Sequence, residues 1–220
     1  MPLRYLVFSL CLTATTLPAQ RPEKVSPGYK VEIDNAWVRV LRVKQPPHAK
    51  IPMHEHPAAV NVTLTDVHEK VTGADGKVTM IYRKAGTVGF SEASKHSEEN
   101  LSDEPIEAVL IELKQGPAHT PPVELDPVKL APEHHIVEIE NDRFRAIRTI
   151  LPPHVKSPMH DHPHYVVVYL TDLHTTMKLA DGRLVDNPRK PGDLGWRDAY
   201  RHQTEQMGDK TAMEIQVELK

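Results

Sequence analysis

The 220-residue chain has little of several things that usually announce a function. It holds one cysteine, Cys11. A single thiol excludes an internal disulfide framework and a multi-thiolate metal cage. Neither charge sign dominates: 27 Lys and Arg stand against 30 Asp and Glu, a formal net charge of -3. Without a clustered cationic footprint, nucleic-acid binding is disfavoured. No stretch of ten or more residues carries a helical apolar stripe. The 20 prolines also argue against a helical bundle, because proline breaks helix interiors. Hydrophobic residues still make up 39% of the chain, enough for a core. The excess is in histidine, 14 residues, which points to imidazole chemistry and above all to metal ligation.

Residues 1–20 read MPLRYLVFSLCLTATTLPAQ. A cation at Arg4, an apolar run from Tyr5 to Leu12 and small residues up to Leu17-Pro18-Ala19 follow the order of a secretory signal. The run is too short to span a bilayer as a stable helix. The expectation is a signal peptide over 1–19, a mature chain starting near Gln20, and a secreted or periplasmic protein. Cys11 would leave with the signal, so an oxidising compartment would cost the mature chain nothing.

Internal repetition organises the remainder. PPHAKIPMHEHP starts at Pro46 and PPHVKSPMHDHP at Pro152, an offset of 106. The same offset aligns residues 31–114 with 137–220 without a gap, and 35 of the 84 positions are identical. The chain is therefore a tandem duplication, with domains at 29–114 and 133–220. Both copies end in Glu-Leu-Lys. Between them, residues 115–132 hold five prolines and read as a stiff, extended connector.

Within each copy the apolar period is two. Residues 37–43, 60–65 and 166–171 are β-branched or alternating runs of strand length. Asp75-Gly76 and Asp181-Gly182 read as hairpin turns. Residues 109–111 and 215–217 close the copies as last strands. The class is all-β, with each copy long enough for about eight strands in a sandwich or jelly-roll barrel.

Ten histidines fall into five matched pairs: His48/His154, His54/His160, His56/His162, His68/His174 and His96/His202. In His54-Glu55-His56 and His160-Asp161-His162 the two imidazoles share one face of a strand. His96 and His202 follow forty residues later. In a closed barrel, that late strand can bring a third imidazole to the same point. Three neutral nitrogens with open positions suit Fe, Zn, Mn, Ni or Cu. The alternative is an inherited pocket whose histidines bond one another or water.

This constellation resembles the cupin superfamily, and its recurrence makes the chain look like a bicupin of two tandem double-stranded β-helix barrels. His54, His56, His96, His160, His162 and His202 match the family's metal histidines. Gly86 and Gly192 match the glycine that opens its second motif, and Asn100 matches the asparagine that closes it. The pattern is incomplete. The family's glutamate ligand would fall at Val60 and Val166, which the alternation from His56 turns inward, leaving two carboxylate-free, drier sites. Gln206 replaces the second closing asparagine. Losing an anionic ligand raises the charge of a metal site and favours an anionic or chelating substrate.

The resemblance implies a metal-dependent dioxygenase, decarboxylase or isomerase acting on a small organic or sugar-acid substrate. The alternatives are a non-catalytic binder of carbohydrate or apolar ligands, or a structural protein with vestigial sites. Tyr169, Glu99, Glu205 or a bound water are the candidates for a general acid or base; no catalytic residue is assigned. Expected partners are a small molecule and a divalent transition metal, with no nucleic acid and no membrane after signal removal. A homodimer stays open. The remaining repeated positions read as structural. His48 and His154 belong on a turn at the surface or pocket rim. His68 and His174 take inward parity, each oriented by Asp66 or Asp172. Arg39, Arg42, Arg145 and Arg148 are surface charges or anion contacts. Met53, Met159, Phe90 and Trp196 pack. His119, His134, His135 and His164 have no assigned role.

Overall fold

The computed structural model describes residues 26–116, 120 and 123–220. The expected signal, its cleavage site, Cys11 and His119 lie outside these residues. The first barrel runs through β1 (Tyr29–Asp34), β2 (Val38–Gln45), β3 (Lys50–His56), β4 (Ala59–Thr63) and β5 (Val67–Gly73). It continues through β6 (Val78–Arg83), β7 (Val88–Ser91), β8 (Ser94–Asn100) and β9 (Ile106–Leu113). A four-residue helix, α1 (Pro127–Leu130), precedes the second barrel. That barrel comprises β10 (His135–Glu140), β11 (Phe144–Leu151), β12 (His160–His162), β13 (Tyr165–Tyr169) and β14 (Leu173–Leu179). It closes with β15 (Leu184–Arg189), β16 (Leu194–Arg197), β17 (Tyr200–Gln206) and β18 (Ala212–Leu219). Among the described residues no helix is long and apolar enough to cross a membrane.

Each barrel is two antiparallel sheets with the same strand order. In the first these are β1-β2-β9-β4-β7 and β3-β8-β5-β6; in the second, β10-β11-β18-β13-β16 and β12-β17-β14-β15. Gly76 and Gly182 take φ of +80° and +87° at the expected hairpin turns, a region open to glycine without strain.

The period of two decides which face each strand buries. Val38, Val40, Val60, Val62, Val109 and Ile111 form one buried cluster with Phe144, Ala146, Val166, Val168, Ile215 and Val217. The two five-stranded sheets thus pack face to face, and the main apolar core lies between the barrels. Each fully buried Val or Ile contributes about 1.5–3 kcal/mol relative to exposure. Phe90 and Trp196 pack on this core as expected, with the Phe90 and Phe144 rings 5.2 Å apart.

This core corrects the expected orientation of Val60 and Val166. Both are fully buried, but between the barrels and not in the pockets. The reason is the crossing at 57–58, where the chain leaves the sheet of β3 and enters that of β4. Alternation restarts there, so Asn61 and Thr63 line the first cavity instead.

Two arginines expected at the surface brace the junction. Arg42 Nη2 donates to Gly192 O and Arg148 Nη2 to Gly86 O, each at 2.6 Å. Gly86 and Gly192 sit at φ of +80° and +85°, with Leu170 and Leu64 packed against them.

Residues 123–131 do not run extended. Asp126 caps α1 by accepting from Val128 N, and its carboxylate receives both Nη atoms of Arg145 at 3.1 Å. Leu125 and Asp161 exchange two hydrogen bonds, from Leu125 N to Asp161 Oδ2 and from Asp161 N to Leu125 O. The segment is a strap on the outside of β12.

Candidate metal centres

The pairing β3·β8 sets His54 directly opposite His96, and β12·β17 sets His160 opposite His202. Directly opposed residues on one face have adjacent side chains. His56 and His162 join them through the two-residue period. The ligand atoms of His54, His56 and His96 all lie within 4.8 Å of one another, as do those of His160, His162 and His202. The six histidines converge as two triads.

In four of the six rings the outer nitrogen is already committed to a carbonyl or carboxylate oxygen. His54 Nδ1 donates to Pro52 O and His160 Nδ1 to Pro158 O, each at 2.8 Å. His56 Nδ1 meets Glu112 Oε1 at 2.9 Å, and His162 Nδ1 meets Glu218 Oε1 at 2.6 Å. Arg39 Nε donates to Glu112 Oε2 at 2.5 Å, and Arg145 Nε to Glu218 Oε2 at 2.8 Å. These contacts fix the Nδ1–H tautomer and aim each Nε2 lone pair inward, as outer-shell partners of a ligating histidine do.

The residues fit a cation on that ground. In the first barrel, His54 Nε2 and His56 Nε2 face each other at 2.9 Å. With both Nδ1 hydrogens directed outward, neither Nε2 has a hydrogen to share. In the second barrel, His162 Nε2 and His202 Nδ1 are buried without a hydrogen-bond partner. A buried polar atom left so forfeits about 1–3 kcal/mol unless something binds it.

The surroundings of the triads differ. The first opens on a cavity of about 240 Å³, lined by Gln45, Glu69, Arg83, Glu98 and apolar residues including Val71 and Ile81. The second borders a cavity of only about 30 Å³, among Tyr165, Tyr169, Tyr200, Arg197 and Glu214. The smaller space holds a water or two, whereas the larger admits a small organic molecule.

Electrostatics separate them further. Burial pushes Glu69 up to about 7, with the nearby Glu98 charge adding to the effect. Burial likewise pushes Glu214 up to about 7. Glu98 is held below the usual carboxylate range: its hydrogen bonds with His96 and Tyr29 outweigh its burial. Burial drives His162 and His202 well below ordinary histidine and His135 down to about 4.

The ligand atoms that converge are of histidine alone in both barrels; beside the first set Glu98 Oε1 lies 3.1 Å from His96 Nε2, while Thr204 stands at the matched position of the second. Several expectations fail here. Glu99 faces away and pairs with Lys50 and Lys70; Glu205 pairs with Lys156. Of the three candidate acid–base residues, Tyr169 lines the second cavity. Arg39 and Arg145 are not surface charges but hold the glutamates behind His56 and His162.

His68 and His174 face outward, since Val67, Glu69 and Val71 take the inner face of β5. His68 stacks on Tyr82 and His174 meets Asp186 at 2.7 Å. Asp66 and Asp172 pair with Lys84 and Lys190 instead. Met53 is exposed. His48 and His154 sit on exposed turns at φ of +58° and +60°, facing Asp103 and Asp209. Asn100 and Gln206 are buried and tie down the loops that follow them.

Sequence reasoning missed Tyr29, Gln45, Glu69, Glu98 and Glu112 in the first site, and His135, Glu214 and Glu218 in the second. Glu112 and Glu218 carried a signal, being the acids of the repeated Glu-Leu-Lys endings. Glu98 carried another, two residues after His96 on one strand.

No family model matches the chain, and no curated protein matches it. Solved structures do. AerE from Microcystis aeruginosa aligns with a TM-score of 0.61 at 13% identity, covering 89% of this chain and 98% of its own. A Bacillus subtilis oxalate decarboxylase with Mn(II) centres aligns with a TM-score of 0.56 at 14% identity, covering 83% of this chain and 69% of its own. Identities this low speak for architecture alone, and the architecture agrees with the duplicated strand order: the chain has the two-domain cupin fold, two tandem jelly-roll barrels.

Proposed function

We propose that the chain binds a divalent metal in both barrels and that the first barrel is a metal-dependent enzyme site for a small organic substrate. The observation that carries this reading is the inward convergence of lone-pair nitrogens whose other ring nitrogens are pinned by Pro52 O, Glu112, Pro158 O and Glu218. The Mn(II) centres of the oxalate decarboxylase neighbour are consistent with it.

A bound ion would supply Lewis-acid polarisation of a substrate oxygen or, if redox-active, an electron-transfer route. The chain's own residues supply the remainder. Arg39 and Glu112 hold the His56 ring in place. The cavity leaves room for a small molecule beside the triad. Glu69, pushed up to about 7 by burial, titrates near neutral pH and, held by Gln45 Nε2 on Oε1 at 3.2 Å, is placed to exchange a proton in the cavity. The reading includes dioxygenation, decarboxylation and isomerisation of small organic acids. Export to the periplasm or medium is part of the same proposal, and a mature N-terminus near Gln20 would support it.

The test is metal content after purification without added metal. We expect near two equivalents, with one lost in His54→Ala and the other in His160→Ala. Absence of metal even after reconstitution would overturn the reading. Oxygen uptake and carbon dioxide release across enols, catechols and small carboxylic acids then separate enzyme from binder.

A further inference from the structure

We infer that Glu98 is a fourth, carboxylate ligand of the first metal centre, entering from β8 rather than from β4. The inference rests on the metal-binding reading above and deepens it, since it makes the two centres chemically unlike.

Three observations carry it. The first is placement. Glu98 follows His96 by two residues, so both side chains leave β8 on the cavity side. Glu98 Oε1 lies 3.1 Å from His96 Nε2, and His54 Nε2 lies 2.9 Å from His56 Nε2. Two ligands at right angles on bonds of about 2.1 Å stand about 3 Å apart. Both separations match that edge, while the atoms that already converge within 4.8 Å are those of the three histidines, so coordination would draw Glu98 Oε1 inward from its place beside His96.

The second is orientation. Glu98 Oε2 accepts from Tyr29 Oη at 2.8 Å and from Gln45 Nε2 at 2.8 Å. One oxygen is thus anchored by two neutral donors from β1 and β2, which turns the other toward the imidazoles. A ligating carboxylate is commonly fixed in this way.

The third is charge. Only 11% of the Glu98 side chain is exposed. Its hydrogen-bond partners are His96, Tyr29 and Gln45, so no Lys or Arg among the described residues bonds to it. Neighbouring acids are served otherwise: Glu112 by Arg39, Glu99 by Lys50 and Lys70. A buried carboxylate needs a counter-charge. A cation among His54, His56 and His96 would provide it.

The second barrel lacks every part of this arrangement. Thr204, His135 and Leu151 occupy the positions of Glu98, Tyr29 and Gln45. Its centre is left with three histidines, and its cavity has no room for a substrate.

The second barrel is therefore an internal reference in the full-length chain. Co(II) is titrated into metal-free protein against a chelator, giving two dissociation constants and a visible spectrum; His54→Ala identifies the first-barrel component. Glu98→Gln preserves shape and an acceptor for Tyr29. We expect it to weaken the first site about 10- to 100-fold, the range seen even for outer-shell partners. The second site should stay within twofold, and the first-site Co(II) absorption should change as one oxygen ligand is lost. Glu98→Asp should restore part of the affinity. If Glu98→Gln fails to fold, Glu98→Asp is read against wild type and should weaken the same site several-fold. Two unchanged constants with an unchanged spectrum would overturn the assignment while leaving the metal-binding reading intact. No Co(II) uptake by wild type would remove both.

Discussion

The two barrels share strand order, hairpin turns, imidazole triads and the His–Glu–Arg chains behind them, yet their interiors are built to opposite ends. The first keeps a cavity of about 240 Å³ with Glu69, Glu98, Gln45 and Arg83 in its wall. The second fills the same volume with Tyr165, Tyr169, Tyr200, Arg197 and Gln216, leaving about 30 Å³, and carries a strap over β12. Where the copies coincide, the residues build the frame and the triads. The differences that set the interiors apart are inward ones, such as Tyr169 and Tyr200 where the first barrel has Thr63 and Ser94. In a duplicated fold, function is thus sought in the inward mismatches.

The face between the barrels, to which both contribute, offers the largest perturbation. Val60→Asp and Val166→Asp each place a carboxylate in the inter-barrel core with no partner. Each should destabilise the chain by about 4 kcal/mol or more, which can abolish folding. Equal losses from the two variants would mark one common core. If either instead left the melting temperature unchanged, Val60 and Val166 would be cavity residues and the packing described above would be wrong.

That face also shows how far the sequence could be read. The duplication, the strands, both Asp-Gly turns and the two His-x-His pairs are legible as period two plus an offset of 106, whereas His96 and His202 were placed with them by the resemblance, because the β3·β8 and β12·β17 pairings that bring them in are not local. The orientation of Val60 and Val166 is not legible, because alternation restarts where the chain passes between sheets at 57–58. The acids behind and beside the triads were visible only as a repeated Glu-Leu-Lys ending and as a residue two places after His96. Tyr29 and Gln45 had no signal at all: they reach the site through cross-sheet proximity, which pairs positions far apart in sequence. Arg42 and Arg148 look like edge charges until the partner barrel supplies Gly192 and Gly86.

A middling effect separates the interiors by pH. Each barrel buries one carboxylic acid that titrates near 7, but from unmatched positions: Glu69 faces Thr175 in the alignment, and Glu214 faces Ala108. In the folded chain Glu214 holds its proton up to about 7, against 4.5 for the free side chain. Its contribution to stability is therefore complete below about 4.5 and is lost as pH rises through 7. In metal-free protein, wild type should lose about 2–3 kcal/mol relative to Glu214→Gln between pH 4.5 and 8. The buried histidines act oppositely, since their lowered folded values withdraw stability as pH falls below 6.5, but they are common to both proteins and cancel in the difference. Urea melts at a series of pH values measure it. A difference independent of pH would mean that Glu214 is ionised in the fold and that the second interior is wetter than its geometry indicates.

The smallest effect concerns the strap, the feature that the second barrel has and the described part of the first does not. Asp126 caps α1 through Val128 N and holds Arg145 with two bonds, and Arg145 in turn holds Glu218 behind His162. Asp126→Ala removes the cap and one of two carboxylates on Arg145 but leaves the Glu218 pair. The loss should be about 1 kcal/mol, the usual size of an N-cap. It should be local: amide exchange should quicken at Leu125 and Asp161, whose mutual hydrogen bonds the strap maintains, and stay unchanged on β3 and β8. The second metal constant should shift far less than for His160→Ala, because Glu218 still fixes the His162 ring. Uniform acceleration across both barrels would show instead that the strap stabilises the whole chain, and the contrast between a sealed and an open barrel would then owe nothing to it.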